Sequence, residues 1–159
     1  MSSDLTLALS AFGIGIVAGL RSMTAPAVVS WGAHFHRLDL HASRLAFFDS
    51  TIAVYTISVL GLGELIADKL PHVPNRTSPL PMSFRILSGA VCGAALCVSA
   101  NRLIFQGALL GALGVVNGAF GGFHIRRLLV KNLKIGDTVV ALAEDAVAIC
   151  AGLLLVFRS

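Results

Sequence analysis

Long apolar runs separated by short polar breaks run the length of this chain. Positions 5–20, 48–67, 85–100, 105–123 and 138–157 are almost free of charge, and the polar residues gather between them. At about 1.5 Å per residue each run is close to the thickness of a bilayer, the first being slightly short. The pattern predicts an all-α, multi-pass transmembrane bundle of five spans, or six if a re-entrant segment at 22–44 is counted, in one domain covering residues 1–159. The stretch SMTAPAVVSWGAHFHRLDLHASR at 22–44 carries Pro26, polar residues and three histidines. It reads as a broken, interfacial or re-entrant segment. PHVPNRTSPLP at 71–81 holds four prolines and reads as a rigid, irregular loop, and HIRRLLVKNLKIGD at 124–137 reads as a basic connection.

Composition agrees with a membrane location. The chain is 56% hydrophobic and 13% charged, and its mean hydropathy is +0.86, whereas soluble domains carry about 25% charged residues. An acid and no Lys or Arg precede the first apolar run, and Arg21 follows it. That order is wrong for a cleaved signal peptide, so the run is expected to stay attached as a first transmembrane helix. With five spans, seven Lys and Arg fall on the N-terminal side and five on the other, which favours a cytoplasmic N-terminus by a bias small enough to allow dual insertion. No basic run is interleaved with aromatics, so the net charge of +4 points to lipid headgroups and not to nucleic acid. Cys92, Cys97 and Cys150 lie inside apolar stretches without metal-ligand spacing and read as small buried hydrophobes.

The 16 glycines are patterned. Gly15 and Gly19 are four apart, as are Gly89 and Gly93, and Gly107, Gly111, Gly114, Gly118 and Gly122 follow one another in the fourth run. Small residues four apart share a helix face and let backbones approach in lipid, where apolar association has no hydrophobic drive. Tight packing within the bundle or along a homodimer seam is expected, and a homo-oligomer with it. Asn117 lies in the same glycine-rich run, where its amide suits an interhelical hydrogen bond or a polar ligand.

The acids are where the chemistry is expected. The chain holds two glutamates, Glu64, four residues before Asp68, and Glu144, next to Asp145. Glu64 and Asp68 can share one helix face, with Asp68 and Lys69 at the membrane interface and Glu64 a turn deeper. Glu144 and Asp145 diverge by about 100° and cannot face one partner. A charged acid at mid-membrane costs about 2.5–3.5 kcal/mol on insertion scales, so these acids must be paired, protonated or hydrated. Arg21, Arg85, Arg102, Arg126, Arg127 and Lys69 are the available counter-charges. One pattern recurs: a glycine-faced helix ending in Arg21 precedes a helix with Glu64 and Asp68, and a glycine-faced helix ending in Arg126 precedes one with Glu144 and Asp145. With one span between them, the halves 5–70 and 105–157 would be an inverted repeat, as in small secondary transporters. His34, His36 and His41 sit on the irregular segment and assign no metal. Asn75-Arg76-Thr77 matches a glycosylation sequon without further support for that context. No nucleophile elbow, phosphate loop or HExxH occurs, so neither an enzyme nor a cofactor is expected.

Taken together, G-x-x-x-G-L-R-S at 15–22, E-x-x-x-D-K-L-P at 64–71, Asn75-Arg76 and the late Glu144-Asp145 resemble the small bacterial membrane proteins grouped as domain of unknown function 4126. The resemblance covers nearly the whole chain and implies a multi-pass protein of the bacterial inner membrane. The pattern is similar, more loosely, to paired-helix cation/proton exchangers whose helices carry E-x-G-D-K-[ST]; here Glu64 and Asp68 are one residue further apart, the glycine is missing, and Leu70 stands where Ser or Thr belongs. The expectation is a small transporter or permease for a proton, cation or small polar solute. Glu64, Asp68, Glu144 and Asp145 would form the polar site, with Arg21, Lys69, Arg126 and Arg127 as counter-charges and Asn117 alongside. The rival expectation is a non-transporting membrane scaffold or partner subunit whose buried charges are a structural ion-pair network.

Overall fold

The computed structural model describes residues 2–41, 43–67, 79–132 and 136–158. They form six helices: α1 (Ser2–Leu20), α2 (Thr24–His34), α3 (Thr51–Ala67), α4 (Pro79–Ser99), α5 (Ile104–Asn132) and α6 (Asp137–Phe157). A 3-10 turn at Ala46–Asp49 precedes α3, and no strand occurs among the described residues. Three segments, Pro79–Ser99, Ile104–Lys131 and Thr138–Phe157, are long and apolar enough to cross a membrane, and the chain is a helical membrane-type bundle. Asp4–Leu20 and Thr51–Ala67 are apolar but shorter.

The helix ends follow from local chemistry. α4 starts at Pro79 and has Pro81 in its first turn, where proline's fixed φ fits and its missing N–H costs nothing. That end of the proline-rich stretch is therefore helix, and it carries Arg85 inside the bundle. α5 runs on through Arg126, Arg127 and Lys131 to Asn132 because nothing between Phe123 and Asn132 breaks a helix. The basic connection expected at 124–137 is thus largely helical. α2 and α4 end in Schellman turns, with His36 (φ 55°) and Asn101 (φ 54°) in the left-handed region. Arg37 N–H donates to the Gly32 carbonyl and Arg102 N–H to the Cys97 carbonyl, at 2.9 and 2.8 Å. His36 is therefore a helix cap, and no group of three or more His, Cys, Asp or Glu among the described residues is arranged to hold a metal. Of the cysteines, Cys92 and Cys97 are buried but Cys150 is exposed, because it lies on the outward face of α6.

Glycine sets how closely the long helices approach. A Cβ on Gly111 would strike the Gly89 carbonyl, and one on Gly93 the Gly107 carbonyl, so α4 and α5 touch backbone to backbone. Further along α5, a Cβ on Gly114 would strike the Phe12 carbonyl and one on Gly118 the Ile16 carbonyl of α1. These contacts advance together along both chains, so α1 and α5 are parallel. α4, whose Gly89 lies beside Ala18 and whose Gly93 lies beside Gly107, is antiparallel to both.

α2 turns back beside α1. Gly13 of α1 faces Leu155 of α6, Gly152 faces both Val17 of α1 and Val28 of α2, and Gly32 of α2 faces Val156. α1 therefore descends along α6 and α2 climbs again, forming a helical hairpin with its tip at Arg21–Met23. The re-entrant segment expected at 22–44 is ordered helix in its first half. This extra helix corrects two expectations. Among the described residues six helices alternate in direction, so the count of five is not found, the count that includes the re-entrant segment fits the order of helices, and Ser2 and Arg158 lie at one end of the bundle. The glycine-faced helices α1 and α5, expected to be oppositely oriented, run the same way, so 5–70 and 105–157 are not an inverted repeat.

Candidate functional site

All six helices bring polar groups to the level of the hairpin tip. Arg85 lies six residues into α4 and Glu144 seven into α6, which puts the layer about 10 Å inside the helix ends. Three arginines, Arg21, Arg85 and Arg126, meet three carboxylates, Glu64, Glu144 and Asp145, so the layer is neutral overall.

Glu64, near the end of α3, holds the start of α2. Its Oε1 accepts from the Ser22 N–H at 2.9 Å and from Ser22 Oγ at 2.6 Å, and its Oε2 accepts from the Met23 N–H at 2.8 Å. A helix start presents unsatisfied amides and partial positive charge, so a carboxylate is favoured there. Arg85 does the reverse for α1. Its Nη1 donates to the carbonyls of Gly19 and Leu20 at 2.5 and 3.1 Å, where the last turn leaves acceptors unsatisfied. Ser88, one turn on, donates to the Ser22 carbonyl at 2.5 Å. The two capping groups are themselves 3.9 Å apart, Arg85 Nη2 to Glu64 Oε1. The tip of the hairpin is therefore gripped at both helix ends by opposite charges on α3 and α4.

The second half of the layer sits against α6. Arg21 is completely buried and paired with Asp145, itself 6% exposed. Glu144, turned away from Asp145 by the helix, faces Arg126 of α5 at 3.7 Å. Gly122 makes room for it: a Cβ there would come within 3.2 Å of Glu144 Oε1 and closer still to Leu20. Glu144 and Arg126 are the polar members of an otherwise apolar pocket of about 210 Å³ between α5 and α6, which Leu20 and Val147 also line.

The residues singled out from the sequence divide clearly. Arg21, Glu64, Arg126, Glu144 and Asp145 come together in the layer. Asp68 and Lys69 lie outside the described residues. Arg127 is exposed on α5 and lies outside the layer. Asn117 does not point into the bundle: it is exposed and donates from Nδ2 to the Leu113 carbonyl of its own helix at 2.9 Å. Position 117 is turned by roughly 100° from Gly118, so the glycine face and the amide separate. Arg102, another available counter-charge, pairs instead with exposed Asp4 at the opposite end of the bundle. Arg85 and Ser88 join the site although only Arg85 stood out beforehand, as a span-end cation. The signal for them was two polar residues three apart on one face of an apolar helix.

Compared with known proteins, the chain matches the family described as Domain of unknown function (DUF4126) over residues 8–158, nearly its full length, and it belongs to that family. No curated protein and no solved structure matches it.

Proposed function

We propose that this family member is a small transporter or permease of a bacterial inner membrane, using intramembrane carboxylates to carry a proton, a cation or a small polar solute, and working as a homo-oligomer. The observation that carries the reading is the hairpin tip, where α1 and α2 are interrupted inside the bundle and ionisable groups of four other helices converge. Interrupted helices whose ends meet charged groups are the usual construction of transporter sites, and intramembrane ionisable residues mark such paths by default. Glu64 gives the tip a switch. Ionised, it accepts three hydrogen bonds from Ser22 and Met23; protonated, it gives up acceptor capacity and the favourable charge at the start of α2. Binding and release of a proton or cation would then be coupled to holding and freeing the tip. Glu144, lining the pocket between α5 and α6, is a second carboxylate placed to exchange with the outside of the bundle.

A second reading has its own support. Each carboxylate of the layer faces an arginine, as in a membrane scaffold or partner subunit whose buried charges fix helix register. Buried pairs do not by themselves argue for stability, so the pairing does not decide the matter. Flux through proteoliposomes of the purified protein does. Glu144→Gln keeps an oxygen that can accept from Arg126 and removes the charge. It should abolish flux of protons or monovalent cations while the protein stays monodisperse. If Glu144→Gln instead fails to fold, and wild-type vesicles carry no flux, the scaffold reading stands.

A further inference from the structure

The outward face of α5 carries polar groups where lipid should be. Gln106, Asn117 and His124 fall within about 20° of one another on the helix circumference, and all three are exposed, Gln106 at the start of the helix in a cleft with the Asp4–Arg102 pair. Leu113 and Phe120, between them, are also exposed, and the spacing 106, 113, 117, 120, 124 keeps to a heptad seam. Asn117 lies near the middle of the apolar part of α5. Its Nδ2 and the His124 Nδ1–H bond to carbonyls one turn back, at 2.9 and 2.8 Å. That leaves the Asn117 amide with a second N–H and its carbonyl oxygen directed outward. In hydrocarbon such groups are costly, and they drive helices together when a partner can answer them. Gly121 lies beside the strip, and a Cβ there would meet nothing within 4 Å, although other glycines of this helix are filled by neighbours.

We infer that this strip is the interface of a homodimer, with α5 of a second copy as its occupant. Two chains inserted alike are related by an axis along the membrane normal, so each residue of a central helix faces its own counterpart. Asn117 suits that symmetry, since an amide both donates and accepts and two of them pair reciprocally. Gln106 and His124 have donors and acceptors of their own in the same sense. No Asp, Glu, Lys or Arg lies on the strip between Gln106 and His124, so no like charges are set opposite each other. Arg127 and Lys131 follow only beyond His124, toward the end of α5. A different partner would not need self-complementary groups at each polar position. The inference rests on α5 crossing the membrane and takes the proposed homo-oligomer to particular residues; it does not depend on transport.

Oxidative cross-linking in native membranes tests it, since it reads association whether or not flux occurs. In a Cys150→Ala background, Leu113→Cys and Phe120→Cys should form disulfide-linked dimers, and Val59→Cys on the exposed face of α3 should not. Adding Asn117→Leu, which suits a lipid-facing helix and so spares the fold, should weaken dimer formation about tenfold, and Asn117→Gln should restore it. Three results would overturn the inference: strip cysteines that stay monomeric or cross-link to a foreign protein, Val59→Cys dimerising as well as they do, or Asn117→Leu leaving the dimer fraction unchanged.

Discussion

At the scale of single residues, Asp145 and Glu144 show how neighbouring acids acquire separate roles. Asp145→Asn removes the carboxylate facing a guanidinium that has no exposed surface. Breaking one side of a buried pair costs about 3–5 kcal/mol. Asp4→Asn removes an equally plain pairing with Arg102, but an exposed one, and pairs of that kind are worth about 0–1 kcal/mol. Thermal unfolding in detergent should therefore show a large loss of stability for Asp145→Asn and almost none for Asp4→Asn. Equal melting of the two variants would mean that the Arg21–Asp145 pair does not hold the hairpin tip. Much of this was legible beforehand, because two acids in an apolar run must find partners and must diverge by about 100°. Which acid turns inward was not legible. It depends on where the tip of α1–α2 and Arg126 of α5 stand relative to α6, and those positions are set by contacts far away in the chain.

Helices are placed by their glycines, and two of these separate packing from propensity. Gly111 lies against the backbone of α4, where the Gly89 carbonyl occupies the space a methyl group would need. A backbone carbonyl cannot swing aside like a flexible side chain, so Gly111→Ala should force α4 and α5 apart at a cost of about 1–3 kcal/mol. Gly63, on the exposed side of α3, has open space around its Cβ position. There alanine only removes glycine's entropic penalty, so Gly63→Ala should stabilise α3 by up to about 1 kcal/mol. Chemical unfolding midpoints of the two variants should move in opposite directions. The spacing of the glycines announced these faces, whereas two helix ends were misread from neighbouring residues. Prolines at 79 and 81 looked like loop and are the first turn of α4, and the basic residues from 126 to 131 looked like a connection and extend α5. In both cases a residue type common in loops sits where a helix tolerates it.

For the whole molecule, one helix changes the topology. Residues 22–44 are too polar and too interrupted for a clean span, and leaving them out gives an odd number of crossings with the chain ends on opposite sides, whereas counting them gives six. α2 occupies the first part of the stretch and returns from the hairpin tip toward the start of the bundle. Trp31 secures it against α3 by donating from Nε1 to Ser58 Oγ at 3.1 Å and meeting Tyr55 edge to face. The same step removes the earlier basis for orientation. Arg21 and Arg85 belong to the buried layer, and the basic end of α5 lies opposite the N-terminus instead of beside it. Reporters fused separately to the two chain ends, one active only in the cytoplasm and one only outside it, should give the same answer at both. Opposite answers would require α2 to leave the hairpin, and with it the grip of Glu64 on Ser22 and Met23. Topology and site thus stand on the same hydrogen bonds, so a result on one bears directly on the other.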